Sequence, residues 1–186
     1  LGHFALTNLL LDRVTDRVVT VASGAHRLGG MDVDDLDWRR RSYDRWRAYG
    51  QSKLANLLFT SELQRRLEAA GSPVRAVAAH PGWAATHLQG RSGNLVMDVA
   101  MRLGNALLAQ SDAAGALPTL YAATQDIPGD SYVGPDGFQE MRGAPVLVDR
   151  SPAARDLGTA AALWERSEEL TGVRFGLAAG VGAAGH

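Results

Sequence analysis

The stretch Arg17-Val18-Val19-Thr20-Val21-Ala22-Ser23-Gly24-Ala25-His26 opens with a short β-branched run and stops in serine and glycine. A parallel strand covered on both faces reads this way, whereas a half-exposed strand would alternate apolar with polar residues. A central strand is therefore expected here. Upstream, Leu1 to Leu11 carries Phe4, Leu6, Leu9, Leu10 and Leu11, too many apolar residues for a half-exposed helix, so a buried helix is expected. The chain opens on Leu1 rather than Met, and further chain is expected before it. Downstream, an acidic stretch (Asp32, Asp34, Asp35, Asp37) runs into a basic one (Arg39, Arg40, Arg41, Arg45, Arg47), and residues 27 to 47 read as a solvated loop without chemistry.

From Ala48 to Ala70 the chain is rich in helix formers and stops at Gly71 with Pro73 beyond, the punctuation of a helix end. Val74 to Ala79 reads as a second buried strand, broken by His80-Pro81-Gly82. Residues 93 to 109 and 112 to 124 carry helical repeats, Tyr132-Val133-Gly134 a last short strand, and Ala153 to Leu170 an amphipathic helix. Gly176 to His186 is a small-residue tail expected to be disordered, which leaves residues 1 to 175 as one domain. Strands alternating with helices predict an α/β fold, a doubly wound parallel sheet of Rossmann-like type, in which sites lie beyond the carboxyl ends of strands. Ser23 and Pro81-Gly82 stand at two such ends.

Composition narrows the function. The 186 residues are 46% hydrophobic and 21% charged, ordinary for one globular domain. A formal charge of -1 gives no basic field to draw the chain onto nucleic acid. No apolar run reaches the roughly 18 to 20 residues of a membrane span. The absence of cysteine excludes disulfide and thiolate chemistry and suits a reducing compartment, so a cytoplasmic protein is expected. The five histidines show no close metal-ligand spacing with carboxylates, and no metal is expected.

The chain has 18 arginines but a single lysine, Lys53, and it falls four residues after one of only four tyrosines, Tyr49. With ordinary composition reasoning, chance gives that placement about 2% of the time. On a helix the two side chains emerge from one face, one turn apart. An ammonium is a compact charge that can exchange a proton, which guanidinium does not do. A phenol is a poor base at neutral pH, but a cation about 4 Å away at an effective dielectric near 20 is worth up to about 4 kcal/mol, or roughly three pKa units. Such a phenol could take a proton from an alcohol or give one to a carbonyl. Ser23 could hydrogen-bond the same oxygen, although a serine before glycine at a strand end is commonly a turn residue.

The run Ala48-Tyr49-Gly50-Gln51-Ser52-Lys53-Leu54-Ala55-Asn56 resembles the active-site helix of short-chain dehydrogenases/reductases, more narrowly of their retinol-dehydrogenase-like branch. Leu1-Gly2-His3-Phe4, the Val18 to His26 run, His80-Pro81-Gly82 through Thr86, and Gly134-Pro135 resemble that branch in order and spacing, and the likeness covers about residues 1 to 150. The resemblance implies that Tyr49 is the catalytic acid/base, that Lys53 binds the nicotinamide ribose and lowers the tyrosine pKa, and that Ser23 orients the substrate oxygen. It further implies that Pro81, Gly82, the backbone of Ala84 and the hydroxyl of Thr86 hold the nicotinamide carboxamide. The family's glycine-rich dinucleotide turn, its NAD/NADP-selecting residue and its active-site asparagine belong to sequence before Leu1. The cofactor is thus NAD or NADP without distinction, and Ala22 replaces a serine common at that place.

The implied function is hydride transfer between nicotinamide and an alcohol/carbonyl pair on a small, lipophilic molecule. Residues 83 to 108, where relatives keep a substrate lid, read equally as a lipophilic wall or as plain helix packing. A nucleotide-sensing scaffold without turnover, or a fragment inactive alone, are the competing readings. Leu54, Ala55, Leu57, Leu58, Phe59, Leu63 and Leu67 make more than one apolar stripe on the long helix, more than a sheet covers. A homodimer packed through this helix and the helix opening at Leu1 is expected, a pairing that relatives often use.

Overall fold

The computed structural model describes residues 1–82 and 111–177. In chain order its elements are α1 (Gly2–Leu10), β1 (Arg17–Val21), α2 (Arg45–Ala69), β2 (Arg75–Ala79), α3 (Asp112–Thr124), β3 (Tyr132–Pro135), β4 (Pro145–Leu147) and α4 (Leu157–Thr171). Short 3-10 turns stand at Leu11–Arg13, Gly24–Leu28, Phe138–Glu140 and Pro152–Arg155. The helix expected over 93 to 109 lies outside the described residues.

The strands form one sheet in the order β1-β2-β3-β4, with β1, β2 and β3 parallel and β4 antiparallel to β3. Side chains alternate across it. Ala76 and Ala78 of β2 face α2, where they meet Leu63 and Leu57, while Val77 and Ala79 face α3 and meet Ala122. Helices therefore cover both faces, the doubly wound arrangement, and β2 is buried along nearly its whole length.

β1 forms where the sequence predicts it but is not central among the described strands. It pairs with β2 alone, and Val21 is 45% exposed. The apolar run reports that its faces are covered and says nothing of its two hydrogen-bonding edges. α1 corrects a second expectation. It is a helix, but only Phe4 and Asn8 are buried in it, and Leu6, Leu9 and Leu10 are at least half exposed. β4 was not foreseen, because three residues beginning with proline carry no readable period.

α2 is the longest element. Asp44 caps it by accepting from Arg47 N at 2.8 Å. It ends in a Schellman turn, with Ser72 N donating to Leu67 O and Gly71 N to Glu68 O, and with Gly71 at φ 65°. One apolar stripe packs on the sheet through Leu54, Leu57 and Leu58. The second stripe is covered by the chain itself. Trp164 of α4 stacks on Phe59 at 5.6 Å with the rings nearly parallel, and Phe4 meets Trp164 edge-on at 4.8 Å. Phe175 and Leu177 pack against the same cluster, so the tail is in contact with the core as far as it is described. The width of the α2 face therefore no longer calls for a partner chain.

The loop of residues 27 to 47 is not merely solvated. Asp35 is buried, accepts from Arg39 N and Arg40 N, and pairs with Arg41 at 3.4 Å. Arg41 in turn donates to Gln51 Oε1 of α2. Nearer β1, the chain crosses α2 with backbone touching backbone. A Cβ on Gly50 would lie 2.8 Å from both Ala25 O and Gly29 N, and one on Gly29 would meet the Gly50 carbonyl carbon and Gln51 N.

β2 ends at His80, which is 2% exposed and whose ring lies over Gly134 of β3. Gly82 N donates to His80 Nδ1 at 3.2 Å, so Nε2 carries the proton and donates to Glu140 Oε2 at 3.0 Å. Burial, with the Arg27 charge in addition, holds the pKa of His80 down to about 4, so the contact with Glu140 is a hydrogen bond to a neutral ring.

Two predictions follow from this packing. Gly50→Ala should lower the urea midpoint by the equivalent of about 2 kcal/mol although alanine is the better helix former by about 1 kcal/mol, because the backbone atoms it meets cannot yield. An unchanged or higher midpoint would contradict the close crossing. His80 takes up protons in the unfolded chain near pH 6.5 but in the folded chain only near 4, so its contribution is complete above 6.5 and is lost as pH falls through that window. The loss should reach roughly 3 kcal/mol. Between pH 7 and 4.5 the parent should lose more unfolding free energy than His80→Gln, and equal losses would contradict the buried neutral ring.

Candidate active site

β1 and β2 are parallel and in register, Val21 beside Ala79, so their carboxyl ends open on the same edge of the sheet. Ser23 and Pro81 each stand two residues beyond that pair. The structure thus brings together the two strand ends that the sequence singles out.

Ser23 has extended backbone and caps the Gly24–Leu28 turn, its Oγ accepting from Ala25 N at 3.2 Å. The turn is locked by His26, which is fully buried. His26 Nδ1 donates to Ser23 O at 2.7 Å, and Nε2 accepts from Ser151 N at 3.1 Å. Desolvation lowers the His26 pKa, so the ring is neutral and holds this one tautomer. The same turn crosses α2 at Gly50, the residue after Tyr49. The glycine of the Tyr49-to-Lys53 run is thus the space that lets the Ser23 turn lie against the helix.

Tyr49 is half-buried, and Lys53 Nζ lies 5.7 Å from the centroid of its ring. Lys53 Nζ donates to Val21 O at 3.3 Å, and Asn56 Nδ2 donates to the same oxygen at 3.0 Å. Both side chains thus reach from α2 to the last carbonyl of β1. Among the described residues no carboxylate pairs with Lys53, and desolvation lowers its pKa. A partly desolvated ammonium one turn from a phenol is equipped to exchange a proton or to bind a hydroxyl.

Pro81 and Gly82 follow β2; Ala84 and Thr86 lie outside the described residues. Gly82 adopts φ 68°, and a Cβ on it would lie 2.5 Å from Met141 O and 3.0 Å from Glu140 O. The turn pressing on it carries Gln139 at φ 51° and Glu140 at φ 56°. Two successive side-chain-bearing residues in the left-handed region cost about 1 kcal/mol or more each and persist where the surroundings hold them. Glu140 also reaches the other strand end, with Oε1 at 3.6 Å from Arg27 Nη2.

Sequence reasoning missed this second layer. The sequence reads His26 and His80 as histidines without metal-ligand spacing and Tyr132 as the start of a strand, and nothing in it joins them to one another or to Arg27 and Glu140. Tyr132 is 2% exposed between the His26 and His80 rings, at 5.7 and 5.1 Å, and burial pushes its phenol well above the usual range. Its hydroxyl is buried without a partner among the described residues. A groove of about 520 Å³ runs elsewhere, between α1, the 34–39 loop, α2 and α4; Ser23, Tyr49 and Lys53 are not among its walls.

No protein-family model matches the chain. It is 38% identical over 184 residues to human Retinol dehydrogenase 13, covering 93% of this chain and 52% of that protein. Polyprenol dehydrogenase of Mus musculus is 36% identical over 192 residues, covering 97% and 54%. The chain spans about half the length of the curated relatives it matches. Its fold is similar to the crystal structure of an uncharacterized protein from Mycobacterium paratuberculosis, with a TM-score of 0.76 and 56% identity, covering 95% of this chain and 57% of that one. With a tyrosine and lysine one turn apart on a helix that crosses the Ser23 strand end, the chain is similar along almost its whole length to about half the length of retinol-dehydrogenase-like members of the short-chain dehydrogenase/reductase family.

Proposed function

We propose that the protein is an oxidoreductase that moves hydride between NAD or NADP and an alcohol/carbonyl pair on a lipophilic small molecule. The observation that carries the proposal is the Tyr49–Lys53 pair, anchored through the Val21 carbonyl beside the Ser23 turn. Tyr49 Oη takes the proton of an alcohol being oxidised, or gives one to a carbonyl being reduced. Lys53 keeps positive charge next to that phenol and offers its remaining N–H donors to ribose hydroxyls. Ser23 Oγ orients the substrate oxygen.

The residues present fit a nicotinamide nucleotide. Lys53 is a half-buried ammonium without a carboxylate among the described residues, and Gly82 is a side-chain-free turn at the adjoining strand end. When bound, the nucleotide supplies the hydride acceptor or donor. Pro81 and Gly82 would hold its carboxamide, a role that the family resemblance extends to Ala84 and Thr86, which lie outside the described residues.

A lipophilic substrate is supported by apolar side chains on the elements that carry the site. Leu28 on the Ser23 turn, Trp46 one turn before Tyr49 and Phe138 on the Phe138–Glu140 turn are 64%, 49% and 77% exposed. The names of the relatives, retinol and polyprenol dehydrogenases, agree in chemical class. A homodimer belongs to the same proposal, with its contact narrowed from α2 and α1 to α1, where Leu6, Leu9 and Leu10, with Leu1 before them, are at least half exposed.

In the full-length chain Tyr49→Phe should remove nearly all turnover and leave nicotinamide affinity within a few-fold, since only the transferable proton is lost. Turnover within tenfold of the parent would sink the assignment. Ser23→Ala should cost on the order of 10²-fold. Lys53→Arg keeps the charge but should shift the basic limb of the pH-rate profile, and an unmoved limb would remove Lys53 from the proton path. Light scattering at tens of micromolar should give twice the chain mass, falling toward one chain when Leu6 and Leu9 are both changed to Asp; a parent mass of one chain would end the dimer proposal.

A further inference from the structure

We infer that Glu140 is a positioning residue that ties the turn after β1 to the turn after β2 and so holds the Gly82 turn ready for the nicotinamide. The inference rests on the oxidoreductase reading above and concerns the same site.

Glu140 belongs to neither strand end. It comes from the hairpin between β3 and β4, and that hairpin is closed by its own bonds, with Gly137 N donating to Arg142 O at 2.9 Å and Ala144 N to Asp136 Oδ1 at 2.9 Å. From this base the carboxylate divides its two oxygens. Oε2 accepts from His80 Nε2 at 3.0 Å, and Oε1 faces Arg27 Nη2 at 3.6 Å. Arg27 is on the turn that Ser23 caps, and its Nη2 also donates to Asp149 O at 2.8 Å.

His80 passes the contact on. Its Nδ1 accepts from Gly82 N at 3.2 Å, so the ring orientation set by Glu140 is the one that receives the Gly82 N–H. The backbone presses from the same side, since Met141 O and Glu140 O occupy the space where a Gly82 side chain would be. Glu140 thus touches the Gly82 turn in two ways, through a relay by its side chain and directly by its main chain.

Gln139 and Glu140 both hold left-handed backbone, at φ 51° and 56°. Non-glycine residues in that region are uncommon, and two in succession need surroundings that determine them. Here the surroundings are the two strand-end turns. A carboxylate with one oxygen for each partner is the only ordinary side chain of this length that accepts at both ends, because glutamine accepts at one oxygen and presents donors at the other.

The test uses the full-length chain with NADH and NADPH as probes. Turnover in the parent that is lost in Tyr49→Phe secures the oxidoreductase reading; a parent without it would overturn that reading and this inference together. Against an active parent, Glu140→Gln should raise the nicotinamide KM about tenfold, leave kcat at saturating cofactor within about threefold and leave the basic limb of the pH-rate profile in place. Glu140 is partly exposed and glutamine is nearly isosteric, so the variant should fold. Arg27→Gln should give a smaller rise in KM, and the double variant should be no worse than Glu140→Gln alone. A nicotinamide KM within twofold of the parent in Glu140→Gln, a fall in kcat with KM unmoved, or additive effects in the double variant would each overturn the inference.

Discussion

Backbone crosses backbone where Gly29 meets Gly50, and the arrangement of the proposed site depends on that contact. A helix usually keeps its neighbours at side-chain distance, about 8 to 10 Å between axes. Two glycines remove the side chains that would enforce it, so the turn after β1 lies directly on α2 one residue past Tyr49. The side chains then bridge only short gaps. Lys53 and Asn56 reach the Val21 carbonyl, and Ser23 is held at the strand end by its own turn.

Around this contact the polar groups are arranged by desolvation. His26 and His80 are buried and neutral, each accepting a backbone N–H at one nitrogen and donating from the other. A neutral imidazole can join two backbone segments without bringing a charge into the core, which a lysine or arginine could not do. Lys53 is the contrast. It is only half-buried, its charge is disfavoured by desolvation, and among the described residues no carboxylate neutralises it. The site therefore places one under-compensated cation beside a phenol and keeps the structural histidines uncharged.

Much of the fold was legible because its signals are local. β2, α2, α3 and β3 announce themselves by period and by punctuation at Gly71 and Pro73. Tyr49 and Lys53 were legible from their spacing and from the rarity of lysine in this chain. The pairing order of the strands was not, since face cover and edge pairing leave the same apolar run. Nor were the exposed leucines of α1, because a sequence shows which residues are apolar but not what covers them. Glu140 and His26 escaped for another reason. His80 meets Glu140 across 60 positions of sequence and Ser151 meets His26 across 125, and no periodicity reports such pairs.

The central claim is that Tyr49, Lys53 and Ser23 serve hydride transfer at these strand ends. The most direct measurement follows the hydrogen itself: an isoprenoid alcohol carrying deuterium on its carbinol carbon is incubated with the full-length chain and oxidised nicotinamide nucleotide, and the nucleotide is recovered for mass spectrometry. The account predicts one deuterium in the reduced nucleotide with the parent and none with Tyr49→Phe. Aldehyde or ketone formed without label in the nucleotide, or labelled nucleotide formed equally well by Tyr49→Phe, would contradict it.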